Sequence, residues 1–123
     1  MRWYLRSKIH NATVTEANLS YIGSITIDQA LLEKCGLDVG EKVLVVSNTS
    51  GARLETYVIK GQRDTGVICM NGAAAHLIKA GESIIIMGFE LSEHRIEPTN
   101  ILVNASNQFQ KFLQIDSEVV NKI

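Results

Sequence analysis

The sequence predicts a single mainly β domain, a small closed barrel of short strands with short helices between them. Three observations predict it. Apolar and β-branched runs recur with the two-residue period of strands, a strand, helix and strand unit occurs twice, and 123 residues that are 46% hydrophobic supply one core but not two ordinary ones.

Along residues 3 to 15, Trp3, Leu5 and Ile9 alternate with Arg6, Lys8 and His10, the pattern of a half-buried strand that puts Lys8 and His10 on one face. Ser24-Ile25-Thr26-Ile27 is a β-branched second strand entered through Gly23. Asp28 is placed to cap a short helix with Leu31, Leu32 and Cys35 on one side and Gly36 at its end. Val43 to Val46 is a buried strand, and Asn48-Thr49-Ser50-Gly51 turns the chain into the next. There Arg53, Glu55 and Tyr57 alternate with Leu54, Thr56 and Val58. Val67 to Met70 is a strand, Ala73 to Lys79 a second short helix, and Ser83 to Phe89 closes the strand series. The two halves echo each other, Gly40-Glu41 before one strand answering Gly81-Glu82 before the other. Two interlocked halves of this kind close a barrel, because closure removes exposed edges. After about Ser92 the chain turns polar, with Phe109, Phe112, Leu113 and Ile115 as its main anchors, so 92–123 reads as a polar tail, partly disordered or docked on a neighbouring subunit.

Bulk properties remove several function classes. Twelve Lys and Arg stand against 13 Asp and Glu, so no excess positive charge is available to displace phosphate counterions, and nucleic acid is not expected as a partner. MRWYLRSKIH places charge where a signal peptide would need an apolar stretch, and no apolar run approaches the roughly 18 residues of a membrane span. The expected setting is soluble and cytoplasmic, with no membrane partner. Cys35 and Cys69 lack neighbours at metal-ligand spacing and read as buried structural thiols. His10, His76 and His94 are far apart, so no metal site is expected, and no phosphate-binding loop, dinucleotide fingerprint or nucleophile elbow occurs.

Two readings of Tyr21-Ile22-Gly23-Ser24 follow from its residues. Gly-Ser ordinarily marks the turn into a strand. Gly23 also permits a strained backbone, in which the Ser24 hydroxyl attacks the Gly23 carbonyl, shifts the acyl group from nitrogen to oxygen, and leaves a pyruvoyl group after β-elimination and hydrolysis. Arg53 and Tyr57 share a strand face, whereas Thr56 points the other way in a regular strand. Asn71 to Ala75 reads as a tight turn and helix start packed through small residues, or as backbone N–H donors beside a substrate oxygen. His10, on the face of Lys8, reads equally as a proton-transfer group or a structural hydrogen-bonding one.

Four blocks in order resemble one family. Lys8-Ile9-His10 with Ala12-Thr13-Val14-Thr15, Tyr21-x-Gly23-Ser24-x-x-Ile27-Asp28, Gly51-x-Arg53-x-x-Thr56-Tyr57 and Asn71-Gly72-Ala73-Ala74-Ala75 resemble the aspartate 1-decarboxylases of pantothenate biosynthesis, over residues 1 to 90. The resemblance implies a six-stranded double-psi β-barrel, and a homotetramer with active sites between subunits. It implies a zymogen that cuts itself at Gly23-Ser24 into a β chain, 1–23, and an α chain, 24–123. The activity implied is that of a carboxy-lyase, which turns L-aspartate into β-alanine and CO2 for pantothenate and coenzyme A synthesis without metal or pyridoxal phosphate. Position by position, it makes Ser24 the pyruvoyl that forms a Schiff base and Tyr57 the proton donor. Thr56 assists cleavage, Lys8 and Arg53 meet substrate carboxylate, and Asn71, Gly72, Ala73 and Ala74 line the site. These roles suit the chemistry, since a guanidinium grips a carboxylate through two hydrogen bonds and an ammonium balances charge nearby. The chain departs from many relatives at Ser50 and at Met87-Gly88-Phe89, positions that bear on partner contacts more than on chemistry. The stretch from Ile25 to Val43 also resembles the swapped-hairpin DNA-binding domains of bacterial transition-state regulators, but the balanced charge argues against that reading. An intact, uncleaved relative serving as a binding subunit is the third reading.

Overall fold

The computed structural model describes residues 1–114. In chain order the elements are β1 (Arg2–Thr13), β2 (Glu16–Asn18), β3 (Ser24–Asp28), α1 (Gln29–Cys35), β4 (Lys42–Ser47), β5 (Arg53–Gly61), β6 (Ile68–Asn71), α2 (Ala74–Leu77), β7 (Ser83–Ser92), β8 (Thr99–Val103) and β9 (Phe109–Leu113). The strands pair in the order β2-β6-β3-β5-β4-β7-β1-β8-β9. Its middle six contain the repeated units, β3-α1-β4 and β6-α2-β7. The ladder returns to its starting segment, because β2 follows β1 after only Val14 and Thr15. At that junction Thr15 N–H donates to the Ile68 carbonyl at 2.8 Å, and the Thr15 hydroxyl lies 3.0 Å from both the Ile68 N–H and its carbonyl. The fold is a mainly β barrel, with Ile9, Ile25, Ile27, Val45, Val58, Ile68, Ile84 and Ile86 fully buried inside it.

Local signals account for α1 as expected. Asp28 accepts the Ala30 N–H at 2.8 Å, and its buried carboxylate also accepts N–H groups of Asp64 (3.0 Å) and Gly66 (2.8 Å). One side chain therefore caps the helix and ties down the turn before β6. Gly36 ends the helix at φ 78°, its N–H on the Leu32 carbonyl.

Three regions differ from expectation. In β1 the register shifts between Leu5 and Ser7 and again between Ile9 and Ala12. A bulge reverses the faces beyond it, so Ile9 is buried while Trp3 stands 68% exposed. The second helix is shorter than Ala73 to Lys79 because Ile78 leaves helical geometry (φ −125°, ψ 122°) to enter the core. Residues 99–113 add two strands, β8 parallel to β1 and β9 antiparallel to β8. Buried Asn107 holds their connection to the barrel, accepting Thr13 N–H and donating to the Thr13 and Gly66 carbonyls, each at 2.8 Å. Ile115, expected among the tail's anchors, lies outside the described residues. No helix among the described residues is long and apolar enough to cross a membrane.

Candidate active site

Ser24 opens β3 and Asn71 closes β6, and the antiparallel register sets them opposite one another. Both are buried. Asn71 Nδ2 donates to Ser24 Oγ at 3.0 Å and to Thr26 Oγ1 at 2.9 Å, while Ser24 Oγ donates its own hydrogen to the Ile22 carbonyl at 3.0 Å. The hydroxyl is thus held from two sides, by one donor and one acceptor. The β-branched run that follows keeps β3 extended and puts Ser24 and Thr26 on one face, within reach of the same amide.

Glycine matters here at Gly72 rather than at Gly23. Gly72 has φ +67°, and a Cβ there would lie 2.7 Å from Gly23 Cα, 2.8 Å from Gly23 N and 3.0 Å from the Tyr21 carbonyl. Its own N–H donates to the Asn18 carbonyl at 2.8 Å. The turn after β6 therefore rests directly on the backbone before Ser24. Gly23 is not among the residues with positive φ, and a Cβ added to it would meet nothing within 4 Å. Left-handed backbone geometry in this turn falls on Gly72, across from Gly23, rather than on Gly23 itself.

A cavity of about 400 Å³ opens beside this pair, bordered by Gly23, Thr56, Tyr57, Asn71, Ala73 and Ala74 among others. Tyr57 is partly exposed there. The parallel pairing of β3 with β5 runs from Ile25 opposite Val58, which sets Ser24 level with Tyr57. Before Val58, β5 has run past the start of β3, so both of its faces can border the opening. That is why Thr56 and Tyr57, successive residues, reach one cavity.

Lys8 and Arg53 are not brought to it within one chain. Arg53 shares the exposed face of Tyr57, as expected, but lies four residues away, about 13 Å along a strand. Lys8 sits on β1 between Met87 of β7 and Asn100 of β8, and neither it nor Arg53 borders the cavity. His10, two residues along, is level with Leu102, and its buried Nδ1 has no hydrogen-bond partner among the described residues. Burial, and then the charge of Lys8, lowers its pKa and favours neutral imidazole.

Two residues in contact with Asn71 were not read as part of a site. Thr26 takes its second N–H, and Cys69 Sγ lies 3.1 Å from its Oδ1. The available signal was spacing, since Ser24-x-Thr26 and Cys69-x-Asn71 each put two polar groups on one face of adjacent strands. Among the described residues, no group of three His, Cys, Asp or Glu side chains could hold a metal ion.

Comparison with known proteins bears on both fold and site. The family model described as aspartate decarboxylase matches residues 1–110. Proteins named aspartate 1-decarboxylase from Bacillus pumilus (strain SAFR-032) and Bacillus cereus (strain G9842) are 49% and 48% identical over 116 residues, covering 91% of this chain and 91% of each relative. Among solved structures, the rationally designed mkDPBB_sym_86 protein, a double-psi β-barrel, matches with a TM-score of 0.51 at 21% identity, over 71% of this chain and 96% of that one. That likeness concerns the fold alone.

Proposed function

The chain belongs to the aspartate decarboxylase family, the enzymes that remove CO2 from L-aspartate in pantothenate biosynthesis, and we propose that it works through a pyruvoyl group made from its own Ser24. The observation that carries this reading is the hold on the Ser24 hydroxyl, donor on one side and acceptor on the other, beside a cavity that also receives Gly23 and Tyr57.

Maturation begins when Ser24 Oγ attacks the Gly23 carbonyl carbon. The bond from that carbon to Ser24 N breaks, nitrogen takes up a proton, and an ester joins Gly23 to Oγ. Loss of the Ser24 Cα proton to water then breaks the Cβ–Oγ bond, and its electron pair leaves on oxygen as the Gly23 carboxylate. Hydrolysis of the resulting dehydroalanine releases ammonia and leaves a ketone on residue 24. Before attack the Ile22 carbonyl holds the hydroxyl hydrogen, Asn71 N–H faces the oxygen that later departs, and Thr56 assists from the cavity wall.

A pyruvoyl group at position 24 supplies an electrophilic carbonyl that takes the substrate amine and accepts the electron pair released with CO2. The residues present fit such a group, because the small side chains of Ala73 and Ala74, with Asn71, border a cavity that reaches Gly23 next to position 24, and bulkier side chains would fill it. Tyr57 delivers the proton that replaces CO2 on the substrate carbon. Arg53 grips a substrate carboxylate and Lys8 balances its charge. Because neither borders the cavity within one chain, a neighbouring copy supplies them, which favours a homotetramer with shared sites; the compartment in this reading is the cytoplasm. Tyr21, Ile22 and Leu77, all more than half exposed near the cleavage point and cavity, offer apolar surface for that neighbour.

Mass spectrometry of the purified protein tests the reading. Two fragments split after Gly23, the larger beginning with a ketone, together with CO2 release from aspartate, are expected. A single intact chain that releases no CO2 after prolonged incubation overturns it. Tyr57→Phe should mature normally yet lose about 100-fold or more in kcat, with KM for aspartate little changed. A kcat per cleaved chain equal to the wild type would remove Tyr57 from the proton-donor role.

A further inference from the structure

We propose that Cys69 is a positioning residue for self-cleavage, its thiol hydrogen holding the Asn71 amide in the orientation that presents Nδ2 to Ser24 Oγ. The proposal rests on the reading that the chain cuts itself between Gly23 and Ser24. The Asn71 side chain meets three groups: Ser24 Oγ at 3.0 Å, Thr26 Oγ1 at 2.9 Å and Cys69 Sγ at 3.1 Å. With its hydrogen on the Ile22 carbonyl Ser24 Oγ accepts here, but either hydroxyl can rotate to donate instead, so neither alone fixes which end of the amide faces it. The thiol does decide. Sulfur is a poor acceptor, and burial, followed by the nearby Glu16 carboxylate, raises the Cys69 pKa and keeps it protonated. Its S–H meets Oδ1 at 3.1 Å in preference to the Met70 carbonyl at 3.8 Å, and Nδ2 turns to both hydroxyls.

Packing keeps the third partner in place. The Thr26 methyl lies over Gly61, where an added Cβ would come within 3.0 Å of Thr26 Cγ2. The Thr26 hydroxyl is left to Asn71.

Amide orientation matters to the bonds that break. With Nδ2 on Ser24 Oγ, the hydroxyl hydrogen remains on the Ile22 carbonyl before attack. During elimination the Cα proton passes to water, the Cα–Cβ double bond forms and the Cβ–Oγ bond breaks. The electron pair then collects on Oγ, where the Asn71 N–H stabilises the departing carboxylate. With the amide reversed, Oδ1 would draw the hydroxyl hydrogen to itself and later oppose the same carboxylate. Loss of the thiol donor thus slows elimination more than folding.

The test uses the full chain with Cys69→Ala and Cys69→Val, which lack the donor at two sizes, and Cys69→Ser, which keeps one. Cleavage is followed by mass spectrometry with and without hydroxylamine, which traps an accumulated ester by releasing residues 1–23 as a hydroxamate. The Ala and Val variants should cleave about tenfold more slowly and accumulate trappable ester, while the Ser variant stays near wild type. Melting temperatures of all three should lie within about 5 °C of wild type. Ala and Val variants that cleave at the wild-type rate overturn the proposal, as does a Ser variant as slow as Ala, which would leave only the shape of the sulfur. A wild-type chain that never cleaves overturns the self-cleavage reading itself, and the wild-type lane makes the two failures distinguishable.

Discussion

Ser24→Ala is expected to remain one 13.6 kDa chain and to lose at least about a thousandfold in CO2 release from aspartate. Without Oγ no group starts the acyl shift, and residue 24 never acquires a carbonyl. The fold should survive, because Asn71 keeps Thr26 Oγ1 and Cys69 Sγ when the serine oxygen is gone. The losses are two hydrogen bonds, the one Ser24 Oγ accepts from Asn71 and the one it donates to the Ile22 carbonyl, and a small void, together about 1–3 kcal/mol. Mass spectrometry reads the intact chain, a melting curve reads the fold, and CO2 release reads the activity. A variant that folds, stays uncut and still decarboxylates aspartate at the wild-type rate would refute the role of Ser24 in catalysis. A variant that is cut normally would refute its role as the nucleophile.

Whatever depends on neighbouring residues was legible in the sequence. The Asp28 cap, the Gly36 stop and the alternation of Arg53, Glu55 and Tyr57 are local, and the structure carries each of them. The repeated strand, helix and strand unit was legible for the same reason. Bulges were not, because a register shift in β1 is set by what β7 offers it rather than by the apolar pattern of Trp3, Leu5 and Ile9. Nor were β8 and β9, whose sequence mixes buried Asn100 and Ile101 with the half-exposed residues of Phe109 to Leu113.

The candidate site divides along the same line. Ser24 and Tyr57 could be named from their blocks, but their alignment with Asn71 arises from pairing across β6, β3 and β5, which no single segment encodes. Cys69 read as packing because the Cys69-x-Asn71 spacing means something only once residues 68–71 form a strand, which turns the thiol and the amide to the same face. Lys8 and Arg53 illustrate the opposite case. Their chemistry suits a substrate carboxylate, yet neither borders the cavity beside position 24 within one chain, a placement that residue type alone does not encode.

Gly72→Ala should be far more damaging than Gly23→Ala, although Gly23 borders the proposed cleavage bond. At φ +67° an L-residue loses about 1–2 kcal/mol from its own backbone geometry. The added Cβ would also press within 2.7 Å of Gly23 Cα and 2.8 Å of Gly23 N, atoms of a backbone that cannot swing aside as a flexible side chain would. Relief requires the turn after β6 to lift away from the segment before Ser24, which strains the facing of Asn71 and Ser24. The expected loss is about 2–4 kcal/mol in stability, with cleavage slowed about tenfold or more. Gly23→Ala has open space for its Cβ and no positive φ to satisfy, so its fold should be weakened by less than about 1 kcal/mol. Denaturant unfolding of both variants, each also carrying Ser24→Ala so that uncut chains are compared, measures the stability difference. Cleavage of Gly72→Ala with Ser24 intact measures the effect on chemistry. Equal stabilities for the two glycine variants would mean that the close approach of Gly72 to Gly23 does not constrain the chain before cleavage.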